Sequence, residues 1–219
     1  FSKIVERLRP HVDQMREAVG PDPSFFDAST AAALSLFEGA SVDRVLLEVG
    51  MGGRLDSTNI VQPKVTCIAS IELEHTDVLG DRIEDIAFEK AGILKPGVPC
   101  VMGPLPDQAR DIVRDRAKKV GAPLREFGVD FTVDMEPRAT NRSEGPVPLA
   151  FRYCEQDGFG VDTRLAVLGE HQVLNASLAI AAVRCLEAHS DDALKVAVAS
   201  GLPRVELPGR LEILGRKPW

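Results

Sequence analysis

The chain has few of the features that would assign it to a non-enzymatic class. Its four cysteines, Cys67, Cys100, Cys154 and Cys185, stand singly and far apart, three of them inside apolar stretches. Zinc sites need short ligand spacings and disulfides need an oxidising compartment, so the expectation is buried, reduced thiols. No apolar run approaches the length of a bilayer span, and the charged first helix lacks the apolar core of a signal peptide. No basic cluster offsets a net charge of -7, which argues against nucleic acid and anionic membrane as partners. There is no internal repeat and no G-x-x-x-x-G-K-[ST] phosphate loop in the 219 residues. What remains is a cytoplasmic globular protein with a small-molecule partner. Its 44% hydrophobic content is enough for one substantial domain, alone or with a smaller lobe.

What is present is an alternation of periodicities. Ile4, Val5, Leu8, His11, Val12 and Met15 recur at helical spacing, and Asp27-Ala-Ser-Thr30 reads as the cap of a second helix running through Phe37. Residues 44–49, 65–71 and 98–102 read as strands, with a helix over 82–94 between the second and third. Residues 106–120 read as a further helix, with short strand-like pieces at 124–127 and 130–133. The polar stretch 136–147 reads as a surface loop, 149–153 and 163–167 as antiparallel strands, and 171–188 and 191–200 as helices. The fold class expected is therefore α/β: a mostly parallel sheet flanked by helices, with a small antiparallel β portion. Pro208-Gly-Arg-Leu-Glu-Ile-Leu214 reads as a fresh strand close to the end at Trp219. The expectation is a fragment, with one partial domain over 1–207 and the start of another over 208–219.

Three junctions of this alternation carry chemistry. Glu48 stands near the end of the first apolar strand, ahead of the turn Gly50-Met-Gly-Gly53. A carboxylate there needs a cation or donors, so it either binds magnesium or accepts hydrogen bonds from the amides of that turn. His75 follows the second strand and would emerge at the same sheet edge, as a ligand or as a locally bonded loop histidine. Lys90 shares a helical face with Ile83, Ile86, Ala87 and Leu94. Its stem then packs inward while the ammonium pairs with Glu48 or Glu74, or burial favours the neutral amine, which can take up carbon dioxide as a carbamate. His11 and His189 lie on expected helices with no partner and read as structural.

Five ordered motifs together resemble a known family. Glu48-Val-Gly-Met-Gly-Gly-Arg-Leu-Asp-Ser-Thr-Asn59, His75 with Leu79-Gly80, Glu89-Lys-Ala-Gly-Ile93, Gly169-Glu-His-Gln-Val-Leu-Asn175 and Pro208-Gly-Arg-Leu-Glu212 are similar to those of the central domain of folylpolyglutamate synthase and bifunctional dihydrofolate synthase, in the Mur ligase superfamily. The resemblance spans roughly residues 25–214. It implies that ATP phosphorylates a carboxylate of dihydropteroate or of a folate, and that the amine of L-glutamate attacks the acyl phosphate. It implies ATP and Mg2+ as cofactors, and a monomer. It matches Glu48 and His75 to metal ligands, Lys90 to a carbamylated lysine, Asn175 and Arg210 to ATP contacts, and Arg54 and Leu55 to a substrate loop. Two departures stand out: Glu74 occupies a position where the family usually has Asp, and the family's phosphate loop and C-terminal glutamate-binding domain fall outside this chain. The isolated chain is therefore expected not to turn over ATP. The rival readings are another Mur-type ligase, adding an amino acid to a UDP-sugar peptide, and a noncatalytic α/β ligand-binding module. The Gly-Gly-Arg-Leu-Asp and Glu-Lys-Ala-Gly-Ile motifs favour folate over the former.

Overall fold

Helix α1 (Ser2–Val19) and helix α2 (Phe25–Ala40) open the chain in the computed structural model, which describes residues 2–20, 22–135, 148–186 and 190–209. The start of α2 is fixed by a capping box. Ser24 Oγ accepts from Asp27 N at 3.1 Å, and the Asp27 carboxylate accepts from Ser24 N at 2.8 Å. The cap therefore lies upstream of the one expected at 27–30, because a reciprocal pair satisfies two free amides where Asp27 alone would satisfy one.

Residues 44–49 correct the sequence reading. They belong to no strand, and Leu46 is 98% exposed. Apolar, β-branched composition supplies strand propensity, but a strand exists only where a neighbour completes its hydrogen-bond ladder. Strands do form further on. β1 (Thr66–Ile68), β2 (Cys100–Met102) and β3 (Leu124–Glu126) make a parallel sheet in that order, with Cys67, Val101 and Arg125 in one cross-strand row. Short α3 (Thr76–Leu79) and α4 (Ile83–Lys90) link β1 to β2, and α5 (Asp107–Val120) links β2 to β3. The helix expected over 82–94 is α-helical only to Lys90, then tightens into a 3-10 turn at Ala91–Ile93.

β4 (Phe131–Met135), β5 (Leu149–Glu155) and β6 (Gly160–Leu165) form a separate antiparallel sheet in sequence order. β6 starts earlier than the 163–167 expected, because the hairpin turns through Gln156-Asp157-Gly158, immediately after β5. Helices α6 (Glu170–Arg184) and α7 (Asp191–Gly201) follow. The loop at 136–147, His189 and Arg210 lie outside the described residues.

The parallel sheet is covered on both faces, which explains the unbroken burial of β2. Cys100, Met102 and Ile68 pack with Ile86, Ala87 and Val113 of α4 and α5. On the other face, Val101 joins Val173, Ile180 and Ala181 of α6 and Phe131, Phe151 and Tyr153 of the antiparallel sheet. All four cysteines are free thiols, but only Cys100 is fully buried, and burial pushes its pKa up to about 12. Cys67, expected inside, is exposed, because β1 has no neighbour on its outer side among the described residues. No described helix is long and apolar enough to cross a membrane.

Candidate functional site

The site assembles where the β1–α3 connection, the end of α4 and the segment leading into the glycine turn meet. His75 is the residue before α3 and holds a left-handed backbone, φ 50°, uncommon for a side chain larger than glycine's. It does not follow the strand directly: β1 ends at Ile68, and residues 69–74 intervene. Lys90 is the last residue of α4. Its side chain is 21% exposed, and its Nζ lies 2.6 Å from Oε1 of Glu74. The hydrogen bond from Lys90 lowers the Glu74 pKa against a partial burial that raises it, with the charges of Lys90 and His75 adding to the lowering. Of the two partners offered by the sequence, Lys90 takes Glu74.

Glu48 is exposed and sits on the unpaired extended segment, not on a strand. It nonetheless faces the same space. A cleft of about 260 Å³ is lined by Glu48, Val49, Gly50, Met51, Gly52, Glu74, His75 and Lys90. Three residues separated widely in sequence thus share one cleft, with no sheet ladder beneath Glu48 among the described residues. Arg54, Leu55 and Asn175 lie outside its lining. The guanidinium of Arg54 grips Glu89, with Nε 3.2 Å from both carboxylate oxygens and Nη2 2.9 Å from Oε1, and it approaches the ring of Phe88 at 5.6 Å. Leu55 is 79% exposed. Asn175 is exposed on α6 and donates to Gln172 Oε1 at 3.2 Å.

The turn amides do not bond to Glu48, as one reading of the sequence had it. They donate to Asp56: its Oδ2 accepts from Gly50 N and Met51 N, each at 3.0 Å, and its Oδ1 accepts from Thr58 N at 2.9 Å and from Thr58 Oγ1. Partial burial raises the Asp56 pKa, but these bonds outweigh it and hold the carboxyl below its usual range. The loop is also pressed against α4. Arg54 N donates to Glu89 O at 2.8 Å, and Asn59 Nδ2 donates to Arg54 O at 3.1 Å and to Gly92 O at 3.2 Å. Two glycines permit that approach: a Cβ on Gly53 would crowd the carbonyls of Glu89 and Lys90, and one on Gly92 would run into Cα and Cβ of Arg54. Sequence reasoning quoted Asp56 and Asn59 within a motif but gave neither a role. Their position next to Gly-rich and Thr residues was the available signal, since short polar side chains in turns commonly bond backbone.

Among the described residues, no three Asp, Glu, His or Cys side chains converge closely enough to hold a metal ion by themselves. The donor set fits magnesium in a weaker sense. Mg2+ typically takes one or two protein ligands and fills its octahedron with water and substrate phosphates. Neither the Glu48 carboxylate nor the His75 ring has a hydrogen-bond partner among the described residues, so both are available to such an ion at the cleft.

A parallel sheet covered on both faces, an appended antiparallel sheet, and a carboxylate, an imidazole and an amine gathered at one cleft make up an α/β domain with a candidate site among the described residues. The chain belongs to the Mur ligase family, whose middle-domain model matches residues 26–183. It is 36% identical over 224 residues to the dihydrofolate synthase/folylpolyglutamate synthase of Bacillus subtilis, covering all of this chain and 50% of that protein. It superimposes on the apo form of L. casei FPGS with a TM-score of 0.82 at 27% identity, covering 98% of this chain and 52% of that one. It also superimposes on Escherichia coli FolC in complex with DHPP and ADP, with a TM-score of 0.72 at 33% identity, covering 89% and 42%. The chain thus spans about half the length of these relatives.

Proposed function

We propose that this chain is the central part of an ATP-dependent ligase that joins L-glutamate to dihydropteroate or to a folate through an acyl phosphate. The observation that carries the reading is the convergence of Glu48, His75 and Lys90 on one cleft, in a domain whose relatives are named for that reaction. The E. coli neighbour holds ADP together with DHPP, which supports a nucleotide and a pterin-type acid as ligands here too.

Glu48 and His75 would hold magnesium, which neutralises phosphate charge during transfer. Asn175 and Arg210 would contact ATP, and Arg54 and Leu55 would meet the acid substrate. In this reading residues 1–207 belong to the ATP-binding domain and 208–219 begin the next, and the protein is a cytoplasmic monomer. Lys90 would act as a carbamate: its neutral amine bonds to the carbon of carbon dioxide and releases one proton. The amine must leave Glu74 to do so, because its Nζ lies 2.6 Å from that carboxylate.

The test is an assay of the full protein carrying this chain, with ATP, Mg2+, L-glutamate and either dihydropteroate or tetrahydrofolate. Glutamate-dependent release of ADP, with formation of the amide, is the result expected. Glu48→Gln should reduce it by about two orders of magnitude, the scale on which one electrostatic contributor is felt. Turnover of a UDP-sugar peptide in place of both acids, or no turnover at all, would overturn the reading.

A further inference from the structure

Asn59 is placed at the closest approach of two pieces of the site. On one side runs the turn from Glu48 to Arg54; on the other lies the end of α4, with Lys90 and the 3-10 turn behind it. The side-chain amide of Asn59 spends one proton on each, bonding Arg54 O at 3.1 Å and Gly92 O at 3.2 Å. Its own backbone carbonyl accepts from Lys95 Nζ at 3.0 Å, and its backbone amide donates to Asp56 O at 2.9 Å. Both side-chain amide protons of Asn59 are therefore committed to the seam between the loop and α4, while its backbone N–H stays within the loop. With Gly53 and Gly92 free of Cβ, backbone lies on backbone, and Arg54 N reaches Glu89 O at 2.8 Å.

We propose that Asn59 is a positioning residue for the Glu48–His75–Lys90 cleft: by bolting the Glu48 turn to the end of α4, it sets the distance between the Glu48 carboxylate and the Lys90 and His75 side chains. This rests on the metal-binding reading of the cleft. Among the described residues 44–49 pair with no strand, and the loop that follows Glu48 is what ties it to the end of α4. Asp56 shapes that loop internally, while Asn59 attaches it to the rest of the molecule. An asparagine is suited to this because both acceptors are carbonyls, and its short uncharged amide carries the two protons that satisfy them together.

The experiment measures Mn2+ binding by electron paramagnetic resonance, with Mn2+ standing in for Mg2+, and amide hydrogen exchange at Arg54, both in the full protein carrying this chain. Asn59→Asp keeps the shape but sets a carboxylate against two carbonyls, whereas Asn59→Ser removes the reach without adding charge. Loss of a group that orients a metal ligand weakens binding by about tenfold or more, and that loss is expected in both variants, together with faster exchange at Arg54. Ile60→Ser, an exposed neighbour on the same 3-10 turn, should change neither readout. Mn2+ affinity and Arg54 exchange within about twofold of the parent, in whichever Asn59 variant folds, would overturn the proposal, since twofold is below the range for such groups. Failure of both variants to fold would overturn it too, by making Asn59 structural. Glu48→Gln separates this result from the functional reading. Mn2+ binding that depends on Glu48 in a protein without ligase activity sinks the ligase assignment and leaves the Asn59 result standing on its own. Ligase activity with unchanged Mn2+ binding in the Asn59 variants sinks Asn59 alone.

Discussion

A carboxylate that accepts four hydrogen bonds is the best-anchored side chain near the cleft, and it is Asp56 rather than the glutamate the motif draws attention to. Asp56→Asn keeps the volume but replaces one acceptor oxygen by a donor facing amides. The expected cost is about 1–3 kcal/mol of stability at neutral pH, the range for leaving a partly buried group unsatisfied, read from urea unfolding. The pH dependence has a definite sign. Because the folded carboxyl titrates below its unfolded value, its contribution is complete above the ordinary carboxylate range and is lost as pH falls through the folded value. The parent protein should therefore lose stability on acidification more steeply than Asp56→Asn, and parallel slopes would contradict this. Lys90→Met tests the other anchored charge. It keeps much of the stem while removing the amine and its bond to Glu74. If the carbamate reading holds, ligase activity in the full protein collapses while the fold survives, and near-normal activity would make Lys90 structural. Glu48, His75 and Lys90 were legible in the sequence because acid, imidazole and amine announce chemistry by type. Asp56 and Asn59 were not, because their work is done on backbone atoms that only the folded loop brings within reach.

Among the elements, two helices were legible to within a residue, while the helices expected over 82–94 and 171–188 end at Lys90 and Arg184 and strand boundaries were not legible. α5 and α7 fall within a residue of their expected spans, since amphipathic spacing and end signals such as Ser190 and Gly121 are local properties. The parallel strands are shorter than their apolar runs, because pairing ends where the neighbour turns away. Residues 44–49 show the same dependence in full: the composition is that of a strand, and no ladder partner stands among the described residues. The start of α2 offers a direct measurement. Ser24→Ala removes one half of its capping box and should cost about 1 kcal/mol, read from thermal or denaturant unfolding. The cost should reach the site as well, because the Asp27 carboxylate also accepts from Ser57 Oγ, and the Phe26 ring covers Gly50. A stability change under about 0.3 kcal/mol would mean that α2 is held by its packing alone.

For the molecule as a whole, Glu155 is the joint between the two sheets. Its side chain is 1% exposed and meets Arg125 from β3, Arg184 from α6 at 3.5 Å and the hydroxyl of Tyr153 beside it on β5. Burial first, then the Glu155 hydrogen bond, raises the Tyr153 pKa, so that phenol stays a donor throughout the ordinary pH range. Glu155→Ala would take the buried carboxylate from Arg125 and leave Arg184 with only Asp157 and Asp191. Breaking a buried pair in this way costs about 3–5 kcal/mol. Calorimetry of the variant should show the antiparallel sheet and the parallel sheet melting separately where the parent shows a single transition, and a single shifted transition would refute the joint. None of this was legible beforehand: Arg125, Glu155 and Arg184 belong to unrelated stretches, and charge alone predicts exposure.

Among the described residues β1 is an edge of its sheet, and residues 44–49 add Val45 and a fully solvated Leu46. An open ladder of this kind is a template, and in a purified preparation of this chain the strand that copies it would come from another molecule. Self-association would then limit handling before unfolding does. Turbidity should rise with a high order in protein concentration, and Leu46→Lys should delay it by acting as a gatekeeper charge without altering the melting temperature.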